Sequence, residues 1–147
     1  MPIHYFSEDL SFRLQNKTAI RKWLNAAIKQ EGSSCGSINF IFCSDEYLLE
    51  KNLHFLNHNT LTDIITFDYS TVLPGKKVVS GDIFISIARV TENAAKFNVS
   101  FEKELSRVVI HGVLHLLGYT DKSKAQKHVM RSREDFYLPL LSETSWK

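Results

Sequence analysis

A chain of 147 residues, 44% hydrophobic and 23% charged, has the composition of an ordinary globular protein with enough apolar material for one continuous core. No apolar run approaches the roughly 18 residues of a membrane span, and the start MPIHYFSEDLSF lacks the basic region and apolar core of a signal peptide, so a cytoplasmic protein with no membrane partner is expected. The net charge of +2 permits an anionic partner without requiring one, and the two cysteines, Cys35 and Cys43, read as reduced thiols.

After a short apolar start at Ile3 to Phe6, Ile20, Trp23, Leu24, Ala27 and Ile28 recur at the spacing of an amphipathic helix that Gly32 stops. SINFIFCS at 37–44 alternates as a strand, and Ser44 is placed to cap a second helix carrying Leu48, Leu49, Leu53 and Leu56. DIITFDY at 63–69 and GDIFIS at 81–86 read as further strands. EGSSCGS at 31–37 and VLPGKKVVSG at 72–81 read as loops. A helix follows from Ile87 to about Asn98, then another that opens on the cap Ser100 and stops at Gly118. The stretch Val108 to Leu117 is apolar nearly all round except for two histidines, the pattern of a helix buried by several neighbours. A last helix is expected over about Ser123 to Tyr137, ending before Pro139. Residues 1–147 thus predict one α+β domain: a small mixed four-stranded sheet packed with about five helices around a central, histidine-bearing one.

Those histidines lie in HGVLHLLGYTD, residues 111–121. His111 and His115, one helical turn apart, project from the same face and can chelate one metal ion. Gly118 lets the backbone reverse, so that Asp121 can fold back as a third ligand. Asp121 is also placed to be nothing more than the N-cap of the last helix, and His128 stands in reserve as an alternative ligand. The frame coincides with that of the metzincin proteases, except that Gly112 replaces the glutamate base and Asp121 the third histidine. A glycine cannot act as a base, which counts against a metalloprotease.

The same stretch resembles the hallmark H-G-x-L-H-L-x-G-Y-D-H of the YbeY family, bacterial rRNA maturation factors regarded as metal-dependent, single-strand-specific endoribonucleases. LTDIITFDY at 61–69 and GDIFIS at 81–86 resemble further family segments in the same order. The resemblance implies one metal per chain, zinc or another divalent transition metal, held by His111, His115 and Asp121. It implies a role in maturing 16S rRNA and in ribosome quality control, with rRNA and ribosomal subunit proteins rather than DNA as partners, acting as a monomer. Two positions depart from the family: Asp121 replaces a histidine, and Leu56 replaces an arginine whose function then passes, if to anything, to His58, Lys122 or Arg89.

With three protein ligands a fourth position stays open to water or a phosphate oxygen, the arrangement of a catalytic site. Asp63, Asp82 and His58 are the candidate proton-transfer groups. KSKAQKHVMRSR at 122–133 contains no acid, and Lys122, Lys124, Lys127 and Arg131 are the candidate RNA-binding side chains. The rival reading is a non-catalytic assembly factor that binds RNA and uses its metal structurally.

Overall fold

The computed structural model describes residues 3–56 and 62–145. In chain order the elements are β1 (Ile3–Ser7), α1 (Lys17–Gln30), β2 (Ser34–Cys43), α2 (Asp45–Leu56), β3 (Ile64–Asp68), β4 (Thr71–Leu73), β5 (Lys76–Ser86), α3 (Ile87–Lys96), α4 (Phe101–Leu117) and α5 (Lys124–Ser145). The strands form one mixed sheet in the order β1-β2-β5-β3, with β4 paired to the first residues of β5. The β1, β2 and β5 strands run parallel, whereas β3 and β4 are antiparallel to β5. The α+β class and the five helices match expectation, but among the described residues the sheet has five strands rather than four. The two segments read as loops are largely ladder: Ser34 and Cys35 pair with Val78 and Val79, and Thr71–Leu73 folds onto Lys76–Val78 as a hairpin. The turn signals within them, Gly32 with Ser33 and Pro74 with Gly75, hide strands that cross-strand backbone bonds and the buried Val79 hold in place.

Alternation along β5 fixes what faces what. Val79, Ile83 and Ile85 are buried in the main core with α1, α4 and α5. Asp82 and Phe84 point to the other face, where Phe84 packs beside the small cluster of Cys43, Leu48 and Ile65. The central helix α4 presses Gly112 onto the sheet so closely that a Cβ there would stand 2.9 Å from both Ile64 Cδ1 and Ile83 Cγ2. A larger side chain there would have to push both isoleucines aside, so glycine rather than glutamate at this position has a packing reason. Ser100 caps α4, its hydroxyl accepting the Lys103 N–H at 3.1 Å, and Ser44 Oγ likewise accepts the Tyr47 N–H at the start of α2.

The last helix does not end before Pro139 but continues through it to Ser145. A proline inside a helix costs about 3 kcal/mol. Tyr137, Leu138 and Leu141, at 1%, 8% and 1% exposure, flank it in the core, and burying each contributes about 1.5–3 kcal/mol. Packing therefore outweighs the broken turn. The indole Nε1 of buried Trp23 donates to the Tyr137 carbonyl at 2.8 Å, which fastens α1 to the same stretch of α5.

Candidate metal centre

His111 and His115 lie on a strip of α4 that neither the sheet nor the core covers completely, with side chains 20% and 23% exposed. Gly118, at φ 112°, ends the helix in the left-handed region. Its N–H donates to the His115 carbonyl and that of Tyr119 to the Leu114 carbonyl, both at 3.0 Å, the paired bonds of a Schellman motif. Six residues after Gly118 a new helix begins, and its cap is Ser123: Ser123 Oγ accepts the Gln126 N–H at 3.0 Å, and Gln126 Oε1 accepts the N–H groups of Lys122 and Ser123. Asp121 is thus not the cap. Its carboxylate turns back over α4, with Oδ2 3.3 Å from His111 Nε2 and 3.5 Å from His115 Nε2.

The two Nε2 atoms are 3.0 Å apart, so the three donor atoms form a triangle with edges of 3.0, 3.3 and 3.5 Å. Ligands about 2.0–2.1 Å from a tetrahedral ion stand about 3.3 Å from one another. Three donor atoms converging in this way could hold a metal ion, and the spacing suits one. Among the described residues no other group of His, Cys, Asp and Glu side chains is arranged so. The tautomer agrees. Glu134 Oε2 lies 2.6 Å from His111 Nδ1, and a carboxylate can only accept, so Nδ1 carries the proton and Nε2 presents its lone pair to the site. Glu134 is held in turn by Arg107, whose Nη1 donates to Oε1 at 2.7 Å while Nη2 donates to Asp135 at 2.8 Å.

Burial pushes the His111 pKa down, but the Glu134 hydrogen bond and charge, with Asp121 and Asp63, outweigh it and the net shift is upward. His115 goes the other way: burial and the His111 charge lower it, against the opposing pull of Asp121. Two of the three, His111 and Asp121, open onto a cavity of about 610 Å³ lined also by Asp63, Lys127, Arg131 and Glu134 among others. Burial raises the Asp63 carboxyl above its usual range, partly opposed by the His111 charge and a bond to its own backbone. Glu104, also on the wall, is raised by burial and by the Asp63 charge.

The structure therefore gathers His111, His115, Asp121, Asp63, Lys127 and Arg131. It leaves out Asp82, which faces the opposite side of the sheet and accepts a 3.0 Å hydrogen bond from Asn39 Nδ2. Lys122 and Lys124 are exposed and do not line the cavity, and exposed His128 sits on its wall outside the triad. Arg89 is engaged elsewhere, its Nε 3.0 Å from Asp45 and its Nη2 paired with Glu92. His58 lies outside the described residues. Glu134 and Arg107 are the partners that sequence reasoning misses; the one local hint is that Arg107 precedes His111 by a helical turn.

Residues 3–142 match the family model described as Endoribonuclease YbeY. Proteins named Endoribonuclease YbeY from Flavobacterium johnsoniae and Cytophaga hutchinsonii are 53% identical over 130 residues and 49% identical over 138. The alignments cover 88% of this chain and 91% of the first relative, and 94% of both chains for the second. A solution structure of a Thermotoga maritima protein superposes with a TM-score of 0.64 at 28% identity, covering 95% of this chain and 88% of the other. The chain belongs to the Endoribonuclease YbeY family.

Proposed function

We propose that this protein is a metal-dependent endoribonuclease that cuts single-stranded RNA in the cytoplasm, in 16S rRNA maturation and ribosome quality control. The observation that carries the metal dependence is the triangle of donor atoms from His111, His115 and Asp121, with Glu134 fixing the tautomer of the first. The names of the relatives supply the RNA. Zinc, or another divalent transition metal, held there would supply Lewis-acid stabilisation of the charge that develops on the phosphate. Lys127 and Arg131, on the wall of the same cavity, bind and orient the phosphodiester as fixed positive charges, with exposed Lys122 and Lys124 extending the track. Asp63 takes up the proton of the attacking oxygen: its carboxylate lines the cavity, and burial moves it toward the range of a working base.

Protein purified without an affinity tag tests this by elemental analysis, paired with cleavage of a single-stranded RNA before chelation, after it and after metal is restored. One ion per chain, cleavage abolished by the chelator and returned with the metal, and loss of that ion in His111→Ala and His115→Ala are expected; Asp121→Asn weakens binding without abolishing it. RNA that is bound but never cut under any divalent ion would replace this reading with that of a non-catalytic assembly factor for ribosomal RNA and proteins. A metalloprotease finds no support, because Gly112 stands against the sheet where that chemistry needs a glutamate.

A further inference from the structure

His111 and His115 are held by a helix, but Asp121 is held only by the short connection between α4 and α5. Both ends of that connection are fastened by backbone and capping bonds, at Gly118–Tyr119 and at Lys122–Gln126. The first of these ends also has a side-chain anchor, Tyr119, whose hydroxyl bonds Glu31 and also interacts with Arg133. The Tyr119 hydroxyl donates at 2.7 Å to Oε1 of Glu31, the residue that terminates α1. The other oxygen of Glu31 accepts from the Tyr137 hydroxyl and, at 3.4 Å, from Arg133 Nη1, both on α5. One carboxylate therefore joins α1, the ligand-bearing connection and α5. Its side chain is only 13% exposed, and although burial works to raise its pKa, the donors Tyr137, Tyr119 and Arg133 bring the net shift below the usual range. Bonds to an ionised acceptor are about twice as strong as neutral ones, which suits Glu31 to holding a loop.

We propose that Glu31 is a positioning residue for the third metal ligand: through the Tyr119 hydroxyl it fixes the connection that presents Asp121 to the His111–His115 pair. The inference rests on the reading of Asp121 as a ligand. A loop released from Glu31 has to be ordered by the metal itself, so affinity falls although no ligand atom has changed.

Tyr119→Phe and Tyr137→Phe each remove one hydroxyl from the same carboxylate, but only the first is attached to the Asp121 connection. Zinc affinity is measured by chelator competition, and the visible spectrum of the cobalt-substituted protein reports coordination geometry. Each variant is made in the parent chain and in Asp121→Ala. Tyr119→Phe is expected to weaken zinc binding about tenfold and to change the cobalt spectrum. Tyr137→Phe stays within about twofold, the scatter of independent sites. In the Asp121→Ala background Tyr119→Phe has no further effect. Unchanged zinc affinity in Tyr119→Phe, a loss matched by Tyr137→Phe, or the same loss with Asp121 already removed overturns the proposal. Asp121→Ala that alone leaves zinc affinity intact overturns the ligand assignment beneath it, a result distinct from failure of the strap.

Discussion

Replacing Glu134 by glutamine changes one oxygen to an amide nitrogen, yet the geometry makes it a severe change. Glu134 offers two acceptors to two donors: Oε1 to Arg107 Nη1 at 2.7 Å and Oε2 to His111 Nδ1 at 2.6 Å. Glutamine offers one acceptor and one donor group, so whichever way the amide turns, a donor meets a donor. The guanidinium cannot give up its proton, so it keeps the amide oxygen, and the amide NH₂ faces Nδ1 of His111. The imidazole must then carry its proton on Nε2, the nitrogen 3.3 Å from Asp121 Oδ2 and facing the proposed metal site. Partners of this kind are worth about 10–100-fold in metal affinity, or about 1.4–2.7 kcal/mol. Chelator competition measures the affinity and ¹⁵N NMR of the imidazole reads the tautomer. Glu134→Gln with unchanged affinity and a free lone pair on Nε2 would refute the reasoning, because the carboxylate would then not be setting the tautomer.

Three further outcomes are expected. Gly112→Ala places a methyl 2.9 Å from Ile64 Cδ1 and Ile83 Cγ2, and thermal unfolding should show a loss of about 1–3 kcal/mol; a variant as stable as the parent means the helix has room to lift. Lys127→Ala and Arg131→Ala should each weaken RNA binding and reduce the slope of log affinity against log salt by about 1, measured by titration at several salt concentrations; unchanged slopes remove both from the phosphate track. The buried Cys43 thiol is pushed up to about 12 by burial first and then by the acids Asp9, Asp45 and Glu8. Its ordinary value in the unfolded chain is 9.0, so above that pH the unfolded state releases a proton that the folded state keeps. Stability should therefore be intact below pH 9 and fall by about 1.4 kcal/mol per pH unit above it, less so in Cys43→Ala; parallel curves for the two proteins would remove the thiol as the cause.

What the sequence makes legible is whatever a single element encodes. The amphipathic stripe from Ile20 to Ile28, the caps Ser44 and Ser100, the His111/His115 pair and the stop at Gly118 all depend on neighbours within a turn or two, and each sits in the structure where its spacing puts it. The ladder at Ser34–Cys35 and the hairpin at Thr71–Val78 depend on partners across the sheet, and neither short stretch carries a clear strand period of its own. Pro139 misleads for the opposite reason. Its local signal is strong, but three buried neighbours on the same helix outweigh it.

The site divides along the same line, and the division explains which acids are visible in it. Asp121 is legible because a glycine and a short turn return it to the helix it has just left. Asp63 and Asp82 look equally suitable in the sequence; Asp82 lies inside β5, where Ile83 and Ile85 face α4 and alternation turns it away, whereas Asp63 precedes β3, outside that alternation, and lines the cavity. That parity is present in GDIFIS, but which face carries the histidines is fixed only when α4 docks with Gly112 against Ile64 and Ile83. Glu134 arrives from α5, and nothing near it in sequence marks it as the partner of a histidine. The packing that carries α5 through Pro139 and seats Tyr137 beneath Trp23 also sets the height of Glu134 over His111 and brings the Tyr137 hydroxyl to Glu31. The core thus positions both the carboxylate that orients the first ligand and the one that tethers the third. A change at the α1–α5 interface that moves Glu134 should reach the site through Nδ1 of His111 before it reaches the other candidate ligands.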